Sequence, residues 1–402
     1  MTTKVMKFGG SSLATCERIR AAAGLVAEEA RKGVSIAVVV SAMGKTTEGL
    51  LGLAGEVSCT SDRRELDQLL ASGEQQSAAL FSLALKDMGV AARSYTGAQA
   101  GIRVKGMSMD GRISSIDPSG IIEGFGRGES AIVAGFQGLG DRGEILTLGR
   151  GGSDLTAVAL AAALKADDCL IFTDVDGVYS ADPRVVPEAR HIPEMDHEML
   201  QEMAESGAKV LNAQAVEWAR RAGIAVYARA SFGPVDAHGE PERQTVIRKF
   251  APGEGSRVRA VVGEGQAAFV RMHGTRPADM RRAWELLREQ QIPMRELSIG
   301  ERGTAFGVPL ANVPDWTRAR TLMETDPAFH GSHVDTDMAV LSVVGAGLTD
   351  TPEPLIRMMD ALAGAGIEPV EVRGSPLRLR AIVAQDRAAD GQRALHARFT
   401  SD

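Results

Sequence analysis

Cysteine is nearly absent from this chain: three in 402 residues, Cys16, Cys59 and Cys169, an odd number, widely spaced and with no C-x-x-C. That spacing excludes a disulfide framework and a zinc ribbon, and points to reduced thiols and a cytoplasmic protein. No run of about 18 apolar residues occurs, so no transmembrane helix is expected. Nor is there a basic stripe to neutralise phosphates. With a formal net charge of −7, neither nucleic acid nor a membrane surface is an expected partner. The opening MTTKVMKFGG enters a strand directly, so no signal peptide is expected. Aromatics make up only 4% of the chain while there are 45 glycines, a composition suited to tight helix–sheet packing and many glycine turns.

What remains is a soluble globular composition, 44% hydrophobic and 24% charged. Its length predicts two or three domains. The stretch Thr147-Leu148-Gly149-Arg150-Gly151-Gly152-Ser153-Asp154 organises the first of them. Three of the four residues 149 to 152 are glycines, so backbone amides there can approach an anion closely. An Ala/Leu-rich helix follows to about Ala166, with Ser153 as its expected cap and its positive end at the same spot. Arg150 supplies a planar fork for a carboxylate or a phosphate. Asp154 is the one anion among these groups.

Other turns repeat the theme. Val5 to Phe8 reads as a buried strand, with Lys7 at its lip before Gly9-Gly10-Ser11-Ser12 and a helix from Cys16 to Ala30. Val34 to Val40 is a continuous apolar run, as in a parallel strand covered on both faces. It ends in Ser41-Ala42-Met43-Gly44-Lys45-Thr46-Thr47. That turn is not a P-loop, which requires glycine where Val39 stands. It remains a hydroxyl-rich turn at a strand's carboxyl end, where open α/β sheets place ligands. Asp62 to Met88 reads as helical, with Ser72-Gly73-Glu74 suggesting an interruption that aims Glu74 elsewhere. Spacing alone favours a plain solvent-facing glutamate there. Further strands are expected at 90–95, 132–136, 145–148, 170–173 and 224–228. The strand at 170–173 leads into Asp174-Val175-Asp176-Gly177-Val178-Tyr179 and Asp182-Pro183-Arg184, and a helix is expected to open at Ser206-Gly207-Ala208-Lys209-Val210. The alternation to about residue 248 predicts an α/β domain with a mainly parallel sheet. Its cationic and glycine-rich turns should converge at one sheet edge, forming a site for a polyphosphate and a second anion.

These motifs together resemble aspartate kinase of the amino-acid kinase family. The matching stretches are KFGGSSLA from Lys7, VSAMGKTT from Val40, SGE from Ser72 and AGFQG from Ala134. They continue with TLGRGGSDLTAVALAAAL from Thr147, TDVDGVYSADPR from Thr173, SGAKVL from Ser206 and RASF from Arg229. The resemblance implies an amino-acid-kinase fold over residues 1–248, using ATP with Mg²⁺ to phosphorylate L-aspartate. It implies Lys7, Arg150 and Asp154 as catalytic residues. Thr46, Thr47, Glu74, Arg150, Gly151, Gly152 and Ser153 become substrate-binding residues, with Glu74 on the α-amino group and Arg150 on the α-carboxylate. Lys7, Phe8, Gly9, Gly10, Ser41, Thr173, Asp174, Tyr179, Arg184, Lys209 and Val210 become the nucleotide set. Asn212 and Ala230 depart from the family pattern, which leaves open fine tuning but not the chemistry.

Pro252, Gly253, Gly255 and Ser256 mark a linker over residues 249–262. Beyond it, residues 263–402 show two rounds of a β-α-β-β pattern, a smaller α+β region. They resemble the paired βαββαβ ACT domains that aspartate kinases carry as amino-acid sensors, and imply a homodimer or higher homo-oligomer through that region. The effector-contacting positions depart from the family pattern. His273-Gly274-Thr275-Arg276-Pro277, Ile299 and Arg373-Gly374-Ser375-Pro376-Leu377 stand where polar effector ligands are expected. Weak or absent inhibition by lysine or threonine is therefore expected. His330 and His333 have an H-x-x-H look without a companion acid, and no metal site is expected there.

Two other readings compete. Related kinases phosphorylate glutamate, N-acetylglutamate, carbamate or UMP, yet Glu74 with Arg150 suits a free α-amino acid. A non-catalytic regulatory subunit should have lost charges from the site, whereas Lys7, Arg150, Asp154 and Lys209 are all present.

Overall fold

A computed structural model of the chain describes residues 2–58, 62–149, 151–208, 211–234, 241–249, 258–273, 277–290, 292–300, 303–310, 313, 315–329 and 331–400. Two units emerge. The first comprises Met1–Val178, His191–Ala204 and Lys209–Glu254; the second comprises Tyr179–Arg190, Glu205–Ala208 and Gly255–Asp402.

The first unit opens with strand β1 (Thr3–Phe8), helix α1 (Cys16–Arg31) and strand β2 (Ser35–Val40). Thr15 caps α1 by accepting from the Arg18 amide, and five of the six residues of β2 are buried, as its apolar run requires. Helices α2 (Thr46–Val57) and α3 (Arg63–Asp87) follow, then β3 (Ala92–Tyr95). A hairpin, β4 (Ile102–Met107) and β5 (Asp110–Ile116), precedes α4 (Ser119–Gly126), β6 (Ser130–Ala134), β7 (Gln137–Leu139) and β8 (Ile145–Thr147). Next come α5 (Gly152–Leu164), β9 (Asp168–Thr173), β10 (Val178–Tyr179), β11 (His191–Ile192), β12 (Glu194–Met195) and α6 (His197–Glu205). Helix α7 (Ala213–Ala222), β13 (Val226–Ala230) and β14 (Gln244–Ile247) complete it.

The main sheet has eight strands in the order β12-β14-β13-β9-β1-β2-β6-β3. All neighbours run parallel except β13 and β14. The carboxyl ends of its central strands lie level: Phe8 pairs with Val40 and Phe172, and Val40 with Ala134. The turns after β1, β2, β6 and β9 therefore open at one edge, where ligands of such sheets bind. Under the sheet, α1 and α3 pack a core that includes Phe8, Leu13, Val26, Phe81 and Leu85.

The second unit contains β15 (Val258–Met272), α8 (Pro277–Glu289), β16 (Arg295–Gly300), β17 (Gly303–Pro309), α9 (Trp316–Thr325) and β18 (His333–Gly345). It continues through α10 (Glu353–Gly364), β19 (Glu371–Ser375), β20 (Arg378–Ala384) and α11 (Ala388–Phe399). The first round, β15 to β18, is a complete βαββαβ unit around Phe306, Met323 and Phe329. The second round ends on α11 and lacks a closing strand of its own. The first half of β15 fills that role, pairing Val261 to Glu264 with Val343 to Val340, while its second half serves the first round. One long strand, irregular between Glu264 and Ala267, is thus shared by both rounds.

Several expectations change. Helix α3 runs unbroken through Gly73, so the interruption at Ser72–Glu74 does not exist. No helix opens at Ser206: α7 starts at Ala213, capped by Asn212. Helix α5 ends at Leu164, with Lys165 in the left-handed conformation. Strand β15 begins at Val258, inside the segment read as linker. The β4–β5 hairpin, β17 and α9 were not anticipated.

Candidate active site

Lys7 stands one residue from the end of β1, a strand flanked by β2 and β9, and its side chain is buried. Its ammonium lies 2.7 Å from Asp154 Oδ1. Asp154 occupies the first turn of α5, where a carboxylate is also favoured by the helix's positive end. The next turn is held against β9: the Gly9 amide donates to the Phe172 carbonyl at 3.3 Å. Gly10 faces the β2 turn so closely that a Cβ there would lie 2.8 Å from the Ala42 carbonyl oxygen. The Gly44 amide donates to the Gly10 carbonyl at 2.9 Å, and the Ser41 amide to the Phe8 carbonyl at 3.1 Å. The two amino-terminal turns form one cradle.

Phe8, expected among the nucleotide residues, gives that cradle only its backbone. Its fully buried ring stacks on Phe172 at 4.6 Å and tilts against Phe81 at 5.6 Å, so its side chain belongs to the core.

Glu74 departs furthest from its spacing-based reading. It is 4% exposed, within the buried stripe of α3. Oε1 accepts from the Ala42 amide at 3.2 Å, and Oε2 is buried with no hydrogen-bond partner. Burial raises its pKa from 4.5 to about 7, against the opposing effect of hydrogen bonds from its own amide and that of Ala42. Gly73 explains how the helix comes this close. A Cβ there would meet the Ala42 Cβ at 3.0 Å and Thr46 Cγ2 at 3.4 Å. Thr46 itself closes the β2 turn, its hydroxyl donating to the Met43 carbonyl at 2.7 Å. Thr47 follows in the first turn of α2.

The glycine loop leads into α5 in a manner that corrects the capping assignment. Gly151, not Ser153, occupies the cap position, with φ of +70° and no side-chain cap bond. That backbone favours glycine. A Cβ on Gly151 would also lie 2.8 Å from Asn212 Cβ. Ser153 lies inside the helix, buried beside Gly135, where an added Cβ would sit 2.9 Å from its hydroxyl. Gly152 packs under Phe136, itself at φ +69°, whose amide donates to Thr156 Oγ1 at 3.1 Å.

Thr173 ends β9, its hydroxyl bonded within its own turn to the amide and carbonyl of Val175, and Asp174 is exposed beside it. Tyr179 and Arg184 belong to the second unit, where Arg184 is ion-paired with Asp182 at 2.7 Å. Arg150, Lys209 and Val210 lie outside the described residues. Among the described residues, no three His, Cys, Asp or Glu side chains are grouped to hold a metal ion. His333 pairs with Asp335 at 2.8 Å; His330 lies outside the described residues.

Four residues at this edge stand in the quoted motifs or departures but were given no site role. Ser12 and Ser231 exchange a 2.5 Å hydrogen bond, and Ser231 also donates to the Thr173 carbonyl, tying the β1, β9 and β13 turns together. Phe136 underlies Gly152. Asn212 accepts from the amides of Gln214 and Ala215, and its place before an amphipathic helix was the one available signal.

A family model described as the amino acid kinase family matches residues 2–228, more than half the chain. The chain belongs to the amino acid kinase family. Within it, this kinase is 35% identical to the aspartokinase of Mycolicibacterium smegmatis, over 99% of this chain and 96% of the relative. It is 38% identical to that of Geobacillus stearothermophilus, over 98% and 96% of the two chains. Identity is 37% with aspartokinase 2 of Bacillus subtilis strain 168, over 98% and 97%. The kinase shares its fold with Escherichia coli aspartokinase III in complex with aspartate and ADP, at a TM-score of 0.82 and 22% identity, covering 99% of this chain and all of that one. An aspartate kinase structure from Synechocystis is 34% identical, with a TM-score of 0.54, covering 99% of this chain and 70% of that one. No helix among the described residues is long and apolar enough to cross a membrane.

Proposed function

We propose that this kinase transfers the γ-phosphoryl group of ATP, delivered as its Mg²⁺ complex, to the side-chain carboxylate of L-aspartate, giving 4-phospho-L-aspartate and ADP. The observation that carries this reading is Glu74. A buried carboxylate with one oxygen unpartnered is costly unless a cation fills the place, and the α-ammonium of an amino acid is such a cation. Acceptors without a free amine, such as N-acetylglutamate, carbamate or UMP, would leave that oxygen unpaired.

The acceptor carboxylate is already ionised at neutral pH, so it needs no general base. One of its oxygens attacks the γ-phosphorus, the bond from that phosphorus to the bridging oxygen breaks, and ADP leaves. The obstacle is repulsion between the acceptor and the triphosphate. Mg²⁺ bound to the phosphates offsets part of that charge. The chain's own share is to fix geometry and supply cations and amides where charge shifts. Lys7, oriented by Asp154, takes the transferred group together with the Gly9-Gly10 turn and Ser41. Arg150 takes the α-carboxylate, while Thr46, Thr47, Gly151, Gly152 and Ser153 seat the rest of the amino acid. Thr173 and Asp174 take the nucleotide, and the resemblance adds Phe8, Tyr179, Arg184, Lys209 and Val210 to that set, Phe8 through its backbone.

The product would enter lysine, threonine and methionine synthesis in the cytoplasm. The kinase domain over 1–248 would be followed by a paired ACT-like region over 263–402 serving homodimer or higher assembly, with weakened feedback inhibition. Trapping the product with hydroxylamine tests the reaction: ATP plus aspartate should yield aspartyl hydroxamate. ATP consumption without hydroxamate, or equal hydroxamate with glutamate, would refute it.

A further inference from the structure

Helix α3 carries a second buried acid that the proposed chemistry does not use. Asp67 lies on the same stripe as Glu74, two turns earlier, and is fully buried. A separation of seven residues sets the two carboxylates about 10 Å apart along the helix axis. Asp67 Oδ1 gathers three donors: the Thr147 hydroxyl at 2.5 Å, the Thr147 amide at 3.3 Å and the Met109 amide at 3.0 Å. Thr147 is itself fully buried and ends β8, directly before the Leu148-Gly149 step into the glycine loop. Met109 is the turn of the β4–β5 hairpin, held at φ +66°. That turn also lies against the loop, since a Cβ on Gly149 would be 3.3 Å from the Met109 carbonyl oxygen. One carboxylate oxygen on α3 thus ties down the root of the glycine loop and the hairpin beside it. Burial raises the pKa of Asp67, although the Thr147 and Ser108 hydroxyls and the two amides favour its charged form. The hydrogen bonds it accepts offset part of the cost of burying the carboxylate.

We propose that Asp67 is a positioning residue: through Thr147 and Met109 it fixes the glycine loop at a set distance from Glu74, the spacing that lets the α-ammonium and α-carboxylate of the acceptor amino acid bind together. The inference rests on the reading that Glu74 takes the ammonium of aspartate and the loop its carboxylate. Helix α3 then acts as a ruler, Glu74 at one mark and the loop anchor at the other. Asp67 touches neither substrate. Removing it loosens one end of the ruler and leaves the β1 and β2 turns intact.

Three variants test this. Asp67→Ala should raise the KM for aspartate about tenfold or more while the KM for ATP stays within about twofold, the pattern of a lost acceptor contact. Asp67→Asn keeps an accepting oxygen for all three donors and should return the KM for aspartate to within about threefold of the parent. Thr147→Val, which removes only the hydroxyl donor, should show a milder form of the alanine effect and serves if Asp67→Ala does not fold. Amide hydrogen exchange at Met109 and over 147–149 reads the anchoring without any assay of activity. Protection should fall in Asp67→Ala and Thr147→Val and hold in Asp67→Asn. Equal rises in both KM values, an asparagine variant as poor as alanine, or unchanged protection would overturn the proposal. If the parent kinase does not use aspartate, the functional reading fails by itself, and the exchange measurement still decides whether Asp67 anchors the loop.

Discussion

Lys7 and Glu74 illustrate how one sheet edge handles two opposite charges. Lys7 is neutralised within the protein by Asp154, so its tip is aimed before any phosphate arrives. Replacing it with alanine should cut turnover by about 10²-fold, as when other transition-state donors are lost; near-parental turnover in a rapid hydroxamate assay would exclude the role. Glu74 waits unneutralised. Because its pKa is raised to about 7, an ammonium must bind its ionised form, which becomes scarce below that pH. The KM for aspartate should therefore be flat above pH 8 and rise about tenfold by pH 6, and Glu74→Gln should abolish the slope. The same shift sets a stability signature. A raised acid pKa means the folded protein holds its proton more tightly than the unfolded chain, so Glu74's contribution is present below pH 4.5 and lost as pH rises through about 7. Relative to Glu74→Gln, the unliganded parent should lose at most about 3 kcal/mol across that window, measurable by denaturant titration. Saturating aspartate should restore much of it. A gap that narrows with rising pH would contradict the buried-carboxylate account.

At the scale of elements, glycine placement decides what packs against what. Gly73 and Gly52 both lie inside helices, yet their surroundings differ. An added Cβ at Gly52 in α2 meets nothing within 4 Å, whereas at Gly73 it meets Ala42 and Thr46. Gly52→Ala should therefore stabilise by roughly 0.5–1 kcal/mol without kinetic effect. Gly73→Ala should lose that gain to crowding and raise the KM for aspartate severalfold; paired melting curves and kinetics would check it, and identical behaviour of the two variants would count against the close α3 approach. This contrast also shows what could be read in advance. The strands β1, β2 and β9 and the turns after them were legible because long apolar runs and Gly-Gly pairs are local signals. Glu74's burial was not, because a 25-residue helix says nothing about which of its polar residues faces a neighbouring turn. Ser153 misled for the reverse reason. A good capping residue was present, but the chain turns left-handed at Gly151 and begins the helix one residue before the serine. The β4–β5 hairpin alternates buried and exposed residues for only about four positions in each strand, too short a run to declare itself.

At the scale of the whole molecule, sequence order and unit membership do not coincide. Tyr179–Arg190 and Glu205–Ala208 fall within the second unit although the chain around them belongs to the first. Inside that unit, Ser180 is bonded to His396 at 2.8 Å and to the Val261 amide at 2.7 Å. Pairings across 80 and more residues leave no local trace, which is why these excursions were not legible in the sequence. The shared β15 strand was hidden for a related cause: its first five residues fall in the stretch read as linker, because they follow Pro252, Gly253 and Gly255. The sensor departures remain a matter of residue type. Ile299 is exposed on β16, where a polar effector ligand was expected. Turnover should accordingly change less than about twofold with lysine or threonine at millimolar concentration, since a zwitterion's polar ends would be left unpaired there. Strong inhibition by either at submillimolar levels would show that other residues serve the effector.

The central claim is that the side-chain carboxylate of aspartate, and no other group, receives the phosphoryl. Borohydride reduction of the product, formed from ATP and aspartate, tests it most directly, because the reduced carbon marks the acylated one. Homoserine is the predicted product, formed only when ATP, aspartate and active kinase are all present. Recovery of 3-amino-4-hydroxybutanoate, which reports phosphorylation of the α-carboxylate, or of no reduced amino acid at all, would contradict it.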